Sequence, residues 1–207
     1  SIGKRQFAVL RFGTQLNGDY DTREINTIDA IKFTFGAMYG IKKDTRNTYG
    51  LGIFLNYSFG RPVVYPTIMW NKSLTNRLGF DAVIPAKFTL RYAATQKDIL
   101  KTGVYLDGGS YNIAIDSPPL NRIPTLELRR SSVRFKVEYE REIYDFLWAD
   151  FKAGYRHNLR FNVSEDNNFN NDEFIRNQVS GNIFFEIGIF IVPPKRLATK
   201  YLKNDIN

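Results

Sequence analysis

The stretch Leu78-Gly79-Phe80-Asp81-Ala82-Val83-Ile84-Pro85-Ala86-Lys87-Phe88-Thr89-Leu90-Arg91-Tyr92 alternates throughout. Every even-numbered residue is apolar, whereas Asp81, Lys87, Thr89 and Arg91 among the odd ones are polar or charged. Period two marks a strand with one greasy face and one polar face. Read as one strand rising about 3.3 Å per residue, it covers about 50 Å, more than a tilted strand needs to cross a bilayer. Only Pro85 interrupts the pattern, and its missing ladder donor predicts a bend.

The same parity recurs along the chain and predicts eight strands. They are Asp29 to Ile41, Thr48 to Phe59, Val63 to Lys72, Leu78 to Tyr92, Leu100 to Ile115, a segment around Val133 to Tyr139, Leu147 to Val163, and Ile175 to Val192. In the fifth, parity switches at Gly108-Gly109, which predicts a bulge. Pro66 makes the third the most irregular. Phe7 to Thr14 also reads as a strand. We expect it to plug, cap or pair with an edge, and ten strands is the alternative count. The expected fold is therefore all-β, an antiparallel up-and-down transmembrane barrel over residues 28–192, with an N-terminal extension, 1–27, and a periplasmic tail, 193–207.

Loop lengths fit a bacterial outer-membrane barrel, which has short periplasmic turns and longer outside loops. Residues 60–62, 95–98 and 143–146 read as periplasmic turns; 42–47, 73–77, 116–122 and 164–174 read as outside loops. Rings near the strand ends predict two interfacial belts, with Tyr57, Phe59, Tyr65, Tyr92 and Tyr139 at one level and Tyr39, Tyr49, Trp70, Phe80 and Phe161 at the other.

Composition narrows the classes. Mean hydropathy is −0.34 and hydrophobic residues make up 43%. No apolar run reaches the about 18 residues of a transmembrane helix. A barrel escapes that test because lipid-facing and lumen-facing residues alternate. Cysteine is absent, so disulfides and thiolate chemistry are excluded. The opening Ser1-Ile2-Gly3-Lys4-Arg5 shows no apolar signal segment, so an exported form would be one whose leader is already removed. The net charge of +8 is scattered through strands and loops and forms no stripe, which argues against nucleic acid. Outer-membrane lipid, lipopolysaccharide phosphates and a protein partner in an envelope complex are the expected partners.

Tyr57-Ser58-Phe59-Gly60-Arg61-Pro62-Val63-Val64-Tyr65-Pro66, Phe80-Asp81-Ala82-Val83-Ile84-Pro85-Ala86 and Asp107-Gly108-Gly109-Ser110-Tyr111-Asn112 resemble segments of an uncharacterised outer-membrane β-barrel family of Bacteroidota-type envelopes, a domain of unknown function. The resemblance covers residues 28 to 192 and leaves the N-terminal extension outside. It implies a barrel with prolines inside its strands, and no catalytic residue, ligand or partner.

By parity the lumen receives Asp81, Lys87, Arg91, Lys101, Asp107, Arg134, Lys136, Glu138, Glu140, Asp150, Lys152, Arg156, Arg160, Arg176 and Glu186. Eight strands leave room for little but side chains, so these are expected to form an ionic core and not a pore; a narrow solute channel is the alternative. Glu138 and Glu140 have a spacing that suits acid–base chemistry, but Arg134 and Lys136 beside them predict salt bridges. His157, the single histidine, points outward with Ser164 seven residues on, so a lipid-modifying enzyme is a remote reading and no enzyme is expected. The glycines at 50, 52, 108 and 109 sit in strands, so no phosphate loop and no cofactor is expected. The expected role is structural or one of interaction, with Glu165, Asp166, Asn167, Phe169 and Asp172 of the longest loop as the contact residues.

Overall fold

Eleven strands form one sheet in the computed structural model, which describes residues 5–18, 31–59, 61–114, 125–164, 173–176 and 179–193. They are β1 (Gln6–Leu16), β2 (Ile31–Lys42), β3 (Asn47–Asn56), β4 (Val63–Ser73), β5 (Leu78–Ile84), β6 (Lys87–Ala93), β7 (Asp98–Ala114), β8 (Thr125–Tyr144), β9 (Leu147–Ser164), β10 (Glu173–Arg176) and β11 (Asn182–Ile191). From β1 to β10 each is antiparallel to the next, and β11 is likewise antiparallel to β9. Both β10 and β11 lie along β9, at its far and near ends, so the sheet is ten strands wide in sequential order.

The eight expected strands become ten for two reasons. Phe7 to Thr14 lies in β1 and pairs with β2 from Gln6↔Ile41 to Leu16↔Ile31. The long alternating stretch is a hairpin, turning at Pro85-Ala86 after a cis Ile84–Pro85 peptide. In this hairpin Ala82 faces Phe88 and Phe80 faces Leu90, so even residues pair only with even residues. The apolar face therefore folds back onto its own side, and period two cannot tell one long strand from two short ones.

That hairpin also reverses the expected sidedness. Turns 43–46, 74–77, 94–97 and 145–146 all lie at one end, with the start of β1 and the end of β11. The other end carries 57–59, 85–86, the ends of β1, β7 and β9 and the starts of β2, β8 and β10. Residues 42–47 and 73–77 were expected opposite 95–98 and 143–146, and they share an end with them instead. Side chains tighten these turns. Thr75 Oγ1 accepts from the backbone N–H of Arg77 (3.2 Å) and Leu78 (2.9 Å), and Thr95 Oγ1 from those of Lys97 and Asp98 (both 3.0 Å).

The prolines sit where the ladder can spare a donor. β4 runs past the tip of the β5–β6 hairpin, so Pro66 has a strand partner, Ile53, on one side only. At Gly108-Gly109 the register with β8 stays continuous, although the buried face changes parity. The extra residue is one strand over: Ser131 and Ser132 face Arg160 and Asn158, leaving Leu159 of β9 unpaired.

The sheet curls until opposite walls touch. Lys32 of β2 reaches Glu127 of β8 (3.1 Å) and Asn112 of β7 (3.1 Å). The β3–β4 loop bends inward, where Ser58 O accepts a hydrogen bond from Ser131 Oγ (3.1 Å) and lies so near Gly108 that any side chain there would strike it. Among the described residues β1 and β11 do not pair, so the sheet is not closed into a barrel. Polarity is inverted across it: the largest fully buried side chains among the described residues are Lys32, Glu127, Thr67, Ser110, Ser132 and Ser164, while Leu10, Leu51, Phe185 and Ile187 are exposed.

Candidate functional site: the ionic interior

Register sorts the inward charges into rows, one residue per strand. Arg91, Lys101, Glu138, Lys152 and Glu186 stand side by side across β6, β7, β8, β9 and β11. From Lys101 onward the sign alternates, the arrangement cross-strand neighbours favour. Contacts with the flanking row complete it. Lys101 pairs with Glu140, Lys136 with Glu138 (3.0 Å) and Lys152 with Asp150 (3.0 Å). Glu138, Glu140 and Asp150 are buried, so each has its cation at hand, as a carboxylate removed from water requires.

Two rows further along, the sign does not alternate. Lys87, Tyr105, Arg134, Arg156 and Asn182 are neighbours, and Arg134 faces Arg156 directly. Arg134 turns to Asp107 (2.6 Å) and to Glu186 (3.4 Å), and Arg130 reaches the same Asp107 oxygen (3.0 Å). Lys136 Nζ lies 4.4 Å from the Tyr105 ring centroid.

A third cluster ties the curled sheet together. Glu127 takes Lys32 and Ser110 on one oxygen and Arg129 on the other (2.7 Å). Tyr57 covers Lys32 with its ring, 5.7 Å away. Burial, and after it the Glu127 carboxylate, push the Tyr57 phenol above its ordinary value. Beside it a cavity of about 190 Å³ is lined by Arg11, Gln15, Thr34, Asn56, Tyr57, Ser58 and Gly108 among others.

Of the other residues expected in the lumen, Asp81, Arg91 and Arg160 are half-buried and Lys87 is exposed. Arg176 lies in β10 opposite Asn162. Sequence reasoning missed Lys32, Glu127, Arg129 and Arg130. The alternation Leu126-Glu127-Leu128-Arg129 was the available signal, masked by the parity break at Ser131-Ser132.

The two aromatic belts become one. Tyr39, Tyr49, Trp70, Phe80, Tyr92 and Tyr139 lie toward the end of the short turns, and Tyr49–Trp70 (5.9 Å), Trp70–Phe80 (4.8 Å) and Phe80–Phe88 (5.9 Å) form a continuous outer track. Phe161 lies toward the other end. Tyr57, Phe59 and Tyr65 leave the belt: Tyr65 is buried and bonded to Asn56 (2.5 Å), Phe59 packs edge-on against it, and Tyr57 is on Lys32. The strand to which Tyr57 and Phe59 were assigned stops at Asn56, and the chain folds inward there, whereas Tyr65 stays in β4 on its buried face. His157 is exposed, and no cluster among the described residues could hold a metal ion. The proposed contact residues Glu165, Asp166, Asn167, Phe169 and Asp172 lie outside the described residues.

These features define an all-β protein with an up-and-down sheet ten strands wide, ionic on its inner face and apolar on its outer one. The chain belongs to the family described as a domain of unknown function, DUF6268, whose model matches residues 1–191. That match takes in the N-terminal segment, which the sequence resemblance had left outside. No curated protein and no solved structure matches the chain.

Proposed function

We propose that this chain is a small outer-membrane β-barrel of a Bacteroidota-type envelope, its interior plugged by charged side chains. Its role is structural or one of interaction, as an accessory subunit of an envelope complex. The inverted polarity of the sheet carries this reading. A soluble ligand carrier buries its apolar face, whereas here ions are inside and Ile187 is 83% exposed. Hydrocarbon is the solvent that suits such an outer face.

A bilayer does not tolerate unpaired strand edges, so in the membrane β1 pairs with β11 and completes a ten-stranded barrel. An even width makes the two edges antiparallel, and both expose apolar residues on the outer face, Leu10 and Phe12 on one and Ile187 and Ile189 on the other. Lipid and the phosphates of lipopolysaccharide surround the barrel, and the 165–172 connection offers a contact to a protein partner. The test is solubility and heat-modifiability. The protein is expected to need detergent or vesicles and to run as a compact species on unheated SDS gels; a monodisperse protein in plain buffer refutes the membrane reading.

The second reading, a narrow solute channel, draws on the width of ten strands, which encloses more lumen than eight. Against it stand Ser58 bridging the walls and the paired ions of the alternating row. Planar-bilayer recording separates the two: no steady current is expected from the plugged barrel.

A further inference from the structure

We infer that Arg130, Arg134 and Arg156 form a binding site for a phosphate-class oxyanion on the inner face of the sheet. Arg134 and Arg156 are direct cross-strand neighbours, a like-charge pairing that destabilises a sheet unless something offsets it. Carboxylates offset only part. Asp107 and Glu186 engage terminal nitrogens of Arg130 and Arg134, and Arg156 has no ion pair among the described residues. The Nε–H groups of all three arginines are buried without an acceptor among the described residues. Three buried donors on three cations in one cluster require an acceptor, because a buried donor left unmade is costly.

The site is also held in place. The Phe184 ring stands 5.7 Å from the Arg134 guanidinium carbon and 5.8 Å from that of Arg156, so one ring seats both cations. Gly154 makes room for it, since a Cβ there would stand 2.8 Å from the ring. The alternating row shows the contrast. There, on the same strands, Lys101, Glu138 and Lys152 each have a partner of opposite charge, which Arg156 lacks among the described residues.

The donor set selects the ligand. Guanidinium presents several N–H groups in a rigid fork that fits phosphate and carboxylate oxygens. A carboxylate has two oxygens, and Asp107 already supplies one to this cluster. A phosphate spreads its oxygens tetrahedrally and can accept from donors on both β8 and β9 at once. Free phosphate in solution and the phosphate of a lipid headgroup share this chemistry. The inference does not depend on the proposed function, because the cluster exists whether or not the sheet closes or meets lipid.

The test uses the full chain in a phosphorus-free detergent, titrated with inorganic phosphate at constant ionic strength and followed by calorimetry and thermal unfolding. Phosphate is expected to raise Tm where chloride does not. Arg156→Gln is expected to weaken phosphate binding at least tenfold, Arg156→Lys to give an intermediate value, and Lys43→Gln in a distant turn to match wild type. Should Arg156→Gln fail to fold, Arg156→Lys carries the comparison. Native mass spectrometry of protein extracted from membranes is the second arm: a phospholipid adduct kept by wild type and lost from the Arg156 variant identifies a headgroup as the source, and free-phosphate binding without an adduct identifies solution phosphate. No phosphate-specific stabilisation together with no adduct overturns the inference. So does an Arg156→Gln protein that binds phosphate as wild type does, which would make the arginines a self-contained ion network.

Discussion

Lys32 Nζ lies 3.1 Å from Glu127 Oε1, although the two residues are 95 apart in sequence and sit on β2 and β8, six positions apart in the sheet. Their side chains are 1% and 2% exposed. A flat or gently twisted sheet could not bring them together, so this pair records how far the sheet has curled.

The two partners are expected to respond unequally to substitution. Glu127→Gln leaves Lys32 and Arg129 as buried cations without their shared carboxylate, and breaking such a group costs about 3–5 kcal/mol. Lys32→Met leaves Glu127 still paired with Arg129 and costs less. The double variant Lys32→Met/Glu127→Leu is expected to recover part of the loss, because the two effects are coupled. Denaturant unfolding of the four proteins in one detergent measures all three values; equal losses for the two single variants would contradict this picture.

Gly108 is expected to tolerate no side chain. A Cβ would meet the Ser58 carbonyl and stand 2.8 Å from Arg130 O. Gly108→Val should therefore unseat the 57–59 segment at a cost of about 1–3 kcal/mol. Chymotrypsin cleavage at Tyr57 and Phe59 is expected to be slow in wild type and fast in the variant. An unchanged digestion pattern would show that the loop is held by other contacts.

The 43–46 turn carries a pH dependence. The Asn47 side chain (2.9 Å) and next the Arg46 backbone N–H (2.6 Å) donate to Asp44 and hold its carboxyl below the ordinary 3.8. A carboxyl depressed in the folded state stabilises fully above its unfolded value, and that stabilisation is lost as pH falls through the lower folded value. The stability gap between wild type and Asp44→Asn is expected to be constant from neutral pH down to about 5 and to shrink below 3.8. Thermal unfolding of both proteins across that range checks the sign.

Ile187→Arg distinguishes lipid from water as the outer solvent. On an exposed site of a soluble protein such a change stays within about 0.5 kcal/mol, whereas at the middle of a barrel's lipid face arginine costs about 2–4 kcal/mol. Refolding yield and stability in vesicles are expected to drop. An Ile187→Arg protein that refolds into vesicles as wild type does would count against the proposed function.

How much of this was legible in the sequence follows from the range of each signal. Alternation is local, so the all-β class, the apolar outer face and the polar inner set carrying Lys101, Glu138 and Lys152 could be read residue by residue. Strand number could not. Ala82 opposite Phe88 keeps parity through the turn at Pro85-Ala86, so a hairpin imitates a long strand, and with that one miscount the ends of the turns were assigned wrongly. Tyr57 and Phe59 escaped for a similar reason, since nothing local says that the chain leaves the sheet after Asn56.

The sequence by itself thus determined which side chains face the same way along each strand, because that depends only on the pleat. The tertiary structure decided which of them meet. Register across β7, β8, β9 and β11 sets Lys101, Glu138, Lys152 and Glu186 in alternation and sets Arg134 against Arg156. Curling then brings Lys32 to Glu127. Pairing between strands far apart in sequence is a property of the whole sheet, and no window of sequence contains it.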